Sequence, residues 1–301
     1  MTQEERRQGL ALIALTTCMW GILAIGLKVA TERIDVITIV WFRFAFAFVM
    51  LFTWLAVRRP QDLRVLARPP KLGIVAAICL GTNYIAYLKG LDLTQPSNAQ
   101  VIIQLAPLFL ALLGMLMFGE RLSRKQLGFS LVAALGFALF YQDQLGILIG
   151  DSGDFTRGNL WIVLAAVMWA LYAALTKQET ARGVPPQGLN LVLYALPALV
   201  LAPFADLGAL AELSSGDWLL MVYLGANTVI AYGALAEGMK RLPAHESGLV
   251  ISTTPLITMS VMAVLGALEV EWIAHDRVSL LGWVGALFVV SGVALVLRAR
   301  D

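Results

Sequence analysis

Ser97-Asn98-Ala99-Gln100-Val101-Ile102-Ile103-Gln104-Leu105-Ala106-Pro107-Leu108-Phe109-Leu110-Ala111-Leu112-Leu113-Gly114-Met115-Leu116-Met117-Phe118 is an apolar run carrying two glutamines one helical turn apart and a proline in its middle. It is long enough to cross a bilayer, because about 20 apolar residues in a helix span a hydrocarbon core roughly 30 Å thick. Asn83-Tyr84-Ile85-Ala86-Tyr87-Leu88-Lys89-Gly90 leads into it, and Phe118-Gly119-Glu120-Arg121-Leu122 leads out. The pattern then returns. Ala231-Tyr232-Gly233 leads in, Pro255 follows Ser252-Thr253-Thr254, and Ala267-Leu268-Glu269 closes the run. A soluble enzyme rarely repeats a proline-broken apolar helix at such a distance, whereas a membrane carrier built from two copies of one unit would.

The composition agrees. Of the 301 residues, 59% are hydrophobic and 14% charged, against roughly half and a quarter in soluble domains. A net charge of +2, with the basic residues lying between apolar runs, gives no case for nucleic acid. Cys18 and Cys79 fall inside spans and read as small core residues. The first apolar run follows Arg6 and Arg7 but lacks a small-x-small cleavage site, so it is expected to be a retained span rather than a signal peptide.

Ten spans are expected: 9–30, 37–57, 72–91, 97–118, 126–142, 158–177, 187–205, 217–238, 245–266 and 279–298. Charge bias supports this number. Sixteen of the 22 Lys and Arg residues fall at the two termini and in segments 58–71, 118–125, 177–186 and 239–244. On the opposite side only Arg33, Lys89, Arg157 and Arg277 remain, with Lys28 and Arg43 inside spans. The positive-inside rule then puts both termini in the cytoplasm.

The repeat extends to the start of the chain. Met19-Trp20-Gly21 with Lys28 is echoed by Met168-Trp169-Ala170 with Lys177, an offset of 149. Glu120 and Glu269 share that offset, and Pro107 and Pro255 differ by 148. Spans one to five therefore align with six to ten, dividing the chain into repeats at 1–150 and 151–301. Five is odd, so the second copy enters the membrane from the other side. An inverted repeat offers a route to alternating access, because the two copies can exchange conformations around one central site.

Trp20-Gly21, Arg43-Phe44, Tyr87-x-x-Gly90-Leu91, Pro107-Leu108 and Gly119-Glu120-Arg121-Leu122-Ser123 followed by Gly128 occur in order across the spans. Together they resemble the EamA-type transporters of the drug/metabolite transporter superfamily, over essentially the whole chain. The resemblance implies an all-α membrane protein, a basket of ten transmembrane helices in two inverted five-helix repeats around a central cavity. It also implies export of amino acids or related metabolites, as in many bacterial members, from the bacterial inner membrane. It does not fix the substrate.

Polar groups at membrane depth face a cavity or a partner, because leaving them unpaired in hydrocarbon is costly. Asn83, Tyr84 and Tyr87 mark one face of the third span, and Gln100 and Gln104 do so for the fourth. Asn227 and Tyr232 mark the eighth, and Ser252, Thr253 and Thr254 the ninth. Each could serve a cavity or an interhelical hydrogen bond; recurrence in repeat-related spans favours the cavity for the set. Trp20 and Trp169, with Tyr172 one turn on, sit away from the interfacial belt where Trp collects, and are expected as paired aromatic walls, with packing as the rival reading. Arg43 reads either as an anion contact or as a snorkelling, helix-tying arginine, which the resemblance favours. Pro107 and Pro255 read as hinges or as static kinks.

No Asp, Glu or His lies in the middle third of any span, which argues against proton exchange through a central carboxylate and against cationic drugs. No protease arrangement, Walker loop, dinucleotide fingerprint or metal-ligand spacing is present. The expectation is therefore a carrier, not an enzyme, with no cofactor and no metal. Its partners are the lipid bilayer and a small molecule, most simply an amino acid; oligomeric state stays open, a monomer being sufficient. Aromatic amino acids, nucleobases or drugs as cargo, and a non-transporting scaffold, are the alternatives.

Overall fold

Proline has no N–H for the carbonyl four residues back, and its ring crowds that carbonyl. The chain obeys this at both repeat-related prolines. In the computed structural model, which describes residues 3–118, 123–147, 152–242, 247, 250–273 and 278–299, helix stops at Ile102 and resumes at Leu105, ahead of Pro107. It is interrupted again at Ser252-Thr253 and resumes at Thr254, ahead of Pro255. The two breaks lie 149 residues apart. The carbonyls that the prolines forgo are those of Ile103 and Ile251. Ala106 N–H donates to the first at 2.9 Å, and the Thr254 hydroxyl to the second at 2.5 Å.

The helices are α1 Gln3–Thr31, α2 Val36–Arg58, α3 Arg64–Ala67, α4 Lys71–Asp92, α5 Pro96–Ile102, α6 Leu105–Phe118 and α7 Arg124–Ile147. They continue as α8 Ser152–Ala181, α9 Pro186–Leu201, α10 Leu207–Ala211, α11 Ser215–Arg241, α12 Thr254–Ala267 and α13 Leu280–Arg298. No strand occurs among the described residues. Six of them (α1, α2, α4, α8, α9 with its 3-10 extension, and α11) are long and apolar enough to cross a bilayer on their own. The broken α5–α6, α7, the broken 250–267 segment and α13 complete the ten. Side chains cap several ends: Asp35 accepts from Thr38 N–H, Ser214 and Asp217 form a reciprocal box at α11, and Ser123 and Gln126 do so at α7. The Gly119-Glu120-Arg121-Leu122 motif, His245 and His275 lie outside the described residues.

Packing follows the duplication. An offset of 149 maps α1 onto α8, α2 onto α9, α4 onto α11 and α7 onto α13. The extensive α1–α11 contact has its exchanged counterpart in α4–α8, and α2–α11 in α4–α9. α7 packs on its own mate α13, and α2 on α9. Because each copy has an odd number of spans, the two copies are inverted.

Helices pressed together in lipid, without a hydrophobic driving force between them, rely on small residues that let backbones approach. A side chain on Gly136 would sit 2.5 Å from Val289 N and 2.7 Å from Gly285 O; one on Gly285 would meet Gly136 O at 2.9 Å. Gly136 and Gly285 are repeat mates. The swapped seams use glycine too: Gly158 against Gly90 between α8 and α4, and Gly9 against Gly238 between α1 and α11.

One contact breaks the symmetry. α1 packs on α4 where both helices end, and Lys28 Nζ donates to the carbonyls of Leu91 and Asp92, at 3.3 and 2.7 Å. This caps α4 with a cation at its negative end. Arg33 and Asp217 pair at the same end of the bundle. The exchanged pair, α8 and α11, has no comparable contact among the described residues.

Candidate functional site

Where the two copies cross, a cavity of about 140 Å³ lies among side chains from both. From the first copy, α1 contributes Trp20, Leu23 and Leu27, α2 contributes Arg43, and α4 contributes Asn83, Tyr84 and Tyr87. The broken fourth span adds Gln100, Ile103, Gln104, Ala106 and Pro107. The second copy supplies Trp169, Tyr232, Ile251 and Thr254. Both residues whose carbonyls the prolines forgo, Ile103 and Ile251, are in the wall. The irregular backbone of both proline-broken spans thus borders the cavity, which is where such backbone is tolerated at membrane depth.

Ten of the fourteen polar and aromatic side chains singled out above therefore come together: Trp20, Arg43, Asn83, Tyr84, Tyr87, Gln100, Gln104, Trp169, Tyr232 and Thr254. Tyr172, Asn227, Ser252 and Thr253 lie outside this lining. Tyr172 packs edge-on to Trp169, ring centres 6.4 Å apart. Asn227 Nδ2 donates to Met19 O at 3.0 Å and ties α11 to α1. Ser252 is buried in the break before α12. Pro107 borders the cavity; Pro255 sits just behind Thr254.

Several lining groups serve the scaffold as well. Gln100 Nε2 donates to Trp20 O at 2.9 Å, and Asn83 Nδ2 to Ala165 O at 2.8 Å. Trp20 meets Tyr232 edge-on at 5.4 Å across the two copies. The guanidinium of Arg43 lies 4.4 Å over the Tyr84 ring, whose other close neighbour is Phe44 at 4.5 Å. Arg43 is only 4% exposed, so it does not snorkel. Its Nε and the hydroxyls of Tyr84 and Tyr87 are buried without a hydrogen-bond partner among the described residues.

Sequence reasoning missed the apolar wall of Leu23, Leu27, Ile103, Ala106 and Ile251. Spacing held the signal: Leu23 and Leu27 follow Trp20 at three and seven residues, and Ile103 follows Gln100 at three, all on one helical face. It also missed a buried amide pair, Asn98 Nδ2 donating to Asn159 Oδ1 at 2.7 Å, which joins α5 to α8.

A polytopic protein, all-helical among the described residues, with two inverted five-helix copies and a cavity of mixed polar and apolar lining at their crossing has the build of a membrane transporter. The chain belongs to the EamA-like transporter family, which matches residues 7–142 and again 156–298. It is 34% identical over 285 residues to the uncharacterised inner membrane transporter YhbE of Escherichia coli K12, covering 93% of this chain and 88% of that protein. An uncharacterised transporter of Haemophilus influenzae is 27% identical over 288 residues, covering 95% and 94%. A solved crystal structure superposes with a TM-score of 0.65 at 23% identity, over 94% of both chains. That likeness speaks for the fold alone.

Proposed function

We propose that this transporter moves a small polar metabolite, in the first instance an amino acid, outward across the bacterial inner membrane by alternating access. The observation that carries the reading is the placement of one cavity at the crossing of the inverted copies, lined by Trp20 from the first and by Trp169 and Tyr232 from the second. The working units are the repeats 1–150 and 151–301, with both termini cytoplasmic. The broken spans at Pro107 and Pro255 act as hinges. In this frame the α1–α4 contact with its Lys28 cap closes the periplasmic end, while α8 and α11 stand apart at the cytoplasmic end. Among the described residues no Asp, Glu or His lines the cavity, which favours facilitated movement or exchange over proton exchange at a central carboxylate. The aromatic walls favour ring-bearing amino acids within that class.

Counterflow in proteoliposomes tests the proposal. Saturable exchange of at least one labelled amino acid is expected, lost in Trp20→Ala, Asn83→Ala or Gln104→Ala. Exchange of no amino acid by a well-folded protein would leave a scaffold as the better reading.

A further inference from the structure

The geometry points to Arg43 as the docking group for a carboxylate on the transported solute, with the hydroxyls of Tyr84 and Tyr87 as further donors to the same anion. The inference rests on the transport reading above and narrows its substrate class.

Arg43 is a full positive charge at membrane depth, 96% withdrawn from solvent, in the wall of the central cavity. Such charges are retained where something answers them. Among the described residues, nothing charged does: every ion pair lies elsewhere, and no acidic side chain lines the cavity. The Tyr84 ring face gives a cation–π contact, and Nε of the five-donor guanidinium fork is buried with no hydrogen-bond partner among the described residues. That fork matches a carboxylate in a two-point, charge-assisted arrangement. Tyr84 and Tyr87 add two buried O–H groups with no acceptor, lining the same cavity. Guanidinium and phenols are all donors, and a carboxylate is an acceptor-only group. Donors and cargo are complementary.

The second copy has no such feature. Position 192, the mate of Arg43, is Val192, buried at 5%. The cavity therefore offers one anion subsite, held by the first copy. For the ammonium of an amino acid it offers only amide and hydroxyl oxygens and ring faces. Recognition follows the carboxylate first and the amine second.

A purely structural Arg43, tying α2 to α4 through Tyr84, is the rival, and matched probes separate the two. The full chain is reconstituted, and exchange of labelled leucine, phenylalanine and glutamine is competed by three probe types sharing each side chain. These are the amino acid, the deaminated acid and the amino-acid amide; thermal stabilisation by the same probes is read in detergent. The acid and the amino acid should compete and stabilise, and the amide should be weaker by about 10- to 100-fold, the scale of a charge-assisted hydrogen-bond pair. Arg43→Gln should erase that preference, and Tyr84→Phe, which keeps the ring under the cation, should reduce it several-fold. Should Arg43→Gln fail to fold, Arg43→Lys and Tyr87→Phe carry the same comparison. Equal competition by amides and acids would overturn the carboxylate assignment while leaving transport intact. Lack of exchange with every labelled amino acid would overturn the amino-acid reading instead, and the carboxylate assignment is then decided by binding. Stabilisation by acids alone supports it; stabilisation by amides equally, or by no probe, ends it.

Discussion

The backbone around Trp20 and that around Trp169 are copies of one design, yet they are held differently. Three consecutive carbonyls at the first site receive side-chain hydrogen bonds from three other helices. Asn227 binds Met19 O at 3.0 Å, Gln100 binds Trp20 O at 2.9 Å, and Thr258 binds Gly21 O at 2.6 Å. The repeat mates of those donors are Ile78, Leu249 and Phe109, none of which can donate. Arg43 against Val192 follows the same division. So does Lys28, whose target carbonyls at Leu91 and Asp92 map onto the basic Lys240 and Arg241. The two halves share a path for the chain and differ in what their side chains do. The first half holds the fixed Trp20 and the cation; the second adds Trp169, Tyr232, Ile251 and Thr254 to the same cavity.

Substitutions that make one half imitate the other test this division. The largest effect is expected from Arg43→Val, which copies Val192: transport should fall by about 10- to 100-fold with the protein still folded, as judged by counterflow and gel filtration. Next comes a change in what the halves share. Gly136→Leu and Gly285→Leu should each lower stability by roughly 1–3 kcal/mol through overpacking at the same seam, read as matching losses in detergent melting temperature. Gly128→Ala, with nothing within 4 Å of its added carbon, should be neutral there. Unequal effects at the two mates would show that the seam is not shared. Smaller again, Gln100→Leu and Asn227→Ile exchange each donor for the residue at its mate in the other half; each should cost about 0.6 kcal/mol, typical of a hydrogen bond between membrane helices, and the pair should loosen Trp20, visible as increased quenching of its fluorescence by acrylamide. The mildest is Lys28→Met. It should raise labelling of a cysteine placed at Leu27 from the end where α1 and α4 meet, with little change in melting temperature.

Much of this was legible beforehand, for reasons that can be named. Span number and duplication followed from length, charge bias and three anchors at nearly one offset, all of which are linear in the chain. Proline chemistry could locate the breaks, though the breaks begin ahead of the prolines because the forgone bond lies four residues back. The face that each residue presents was harder. A soluble helix advertises its buried side by polarity, but a membrane helix meets apolar surroundings on both sides, so the periodic signal is weak. That is why Asn227 was grouped with the cavity when it faces α1, and why Leu23 and Leu27 were not singled out at all. Arg43 shows the reverse. One charge in an apolar run declared itself, and only its surroundings could say that it does not reach for the membrane surface.

The meeting of Gly136 with Gly285 has a historical consequence. If the two halves began as separate identical chains facing opposite ways, this position stood against itself. Any atom added to one molecule would have been added to its twin in the same generation, so no neighbouring change could have made room for only one of them. Fusion of the genes would have freed each site to vary alone, yet both are still bare, and the place where the ancestors first touched can still be read there.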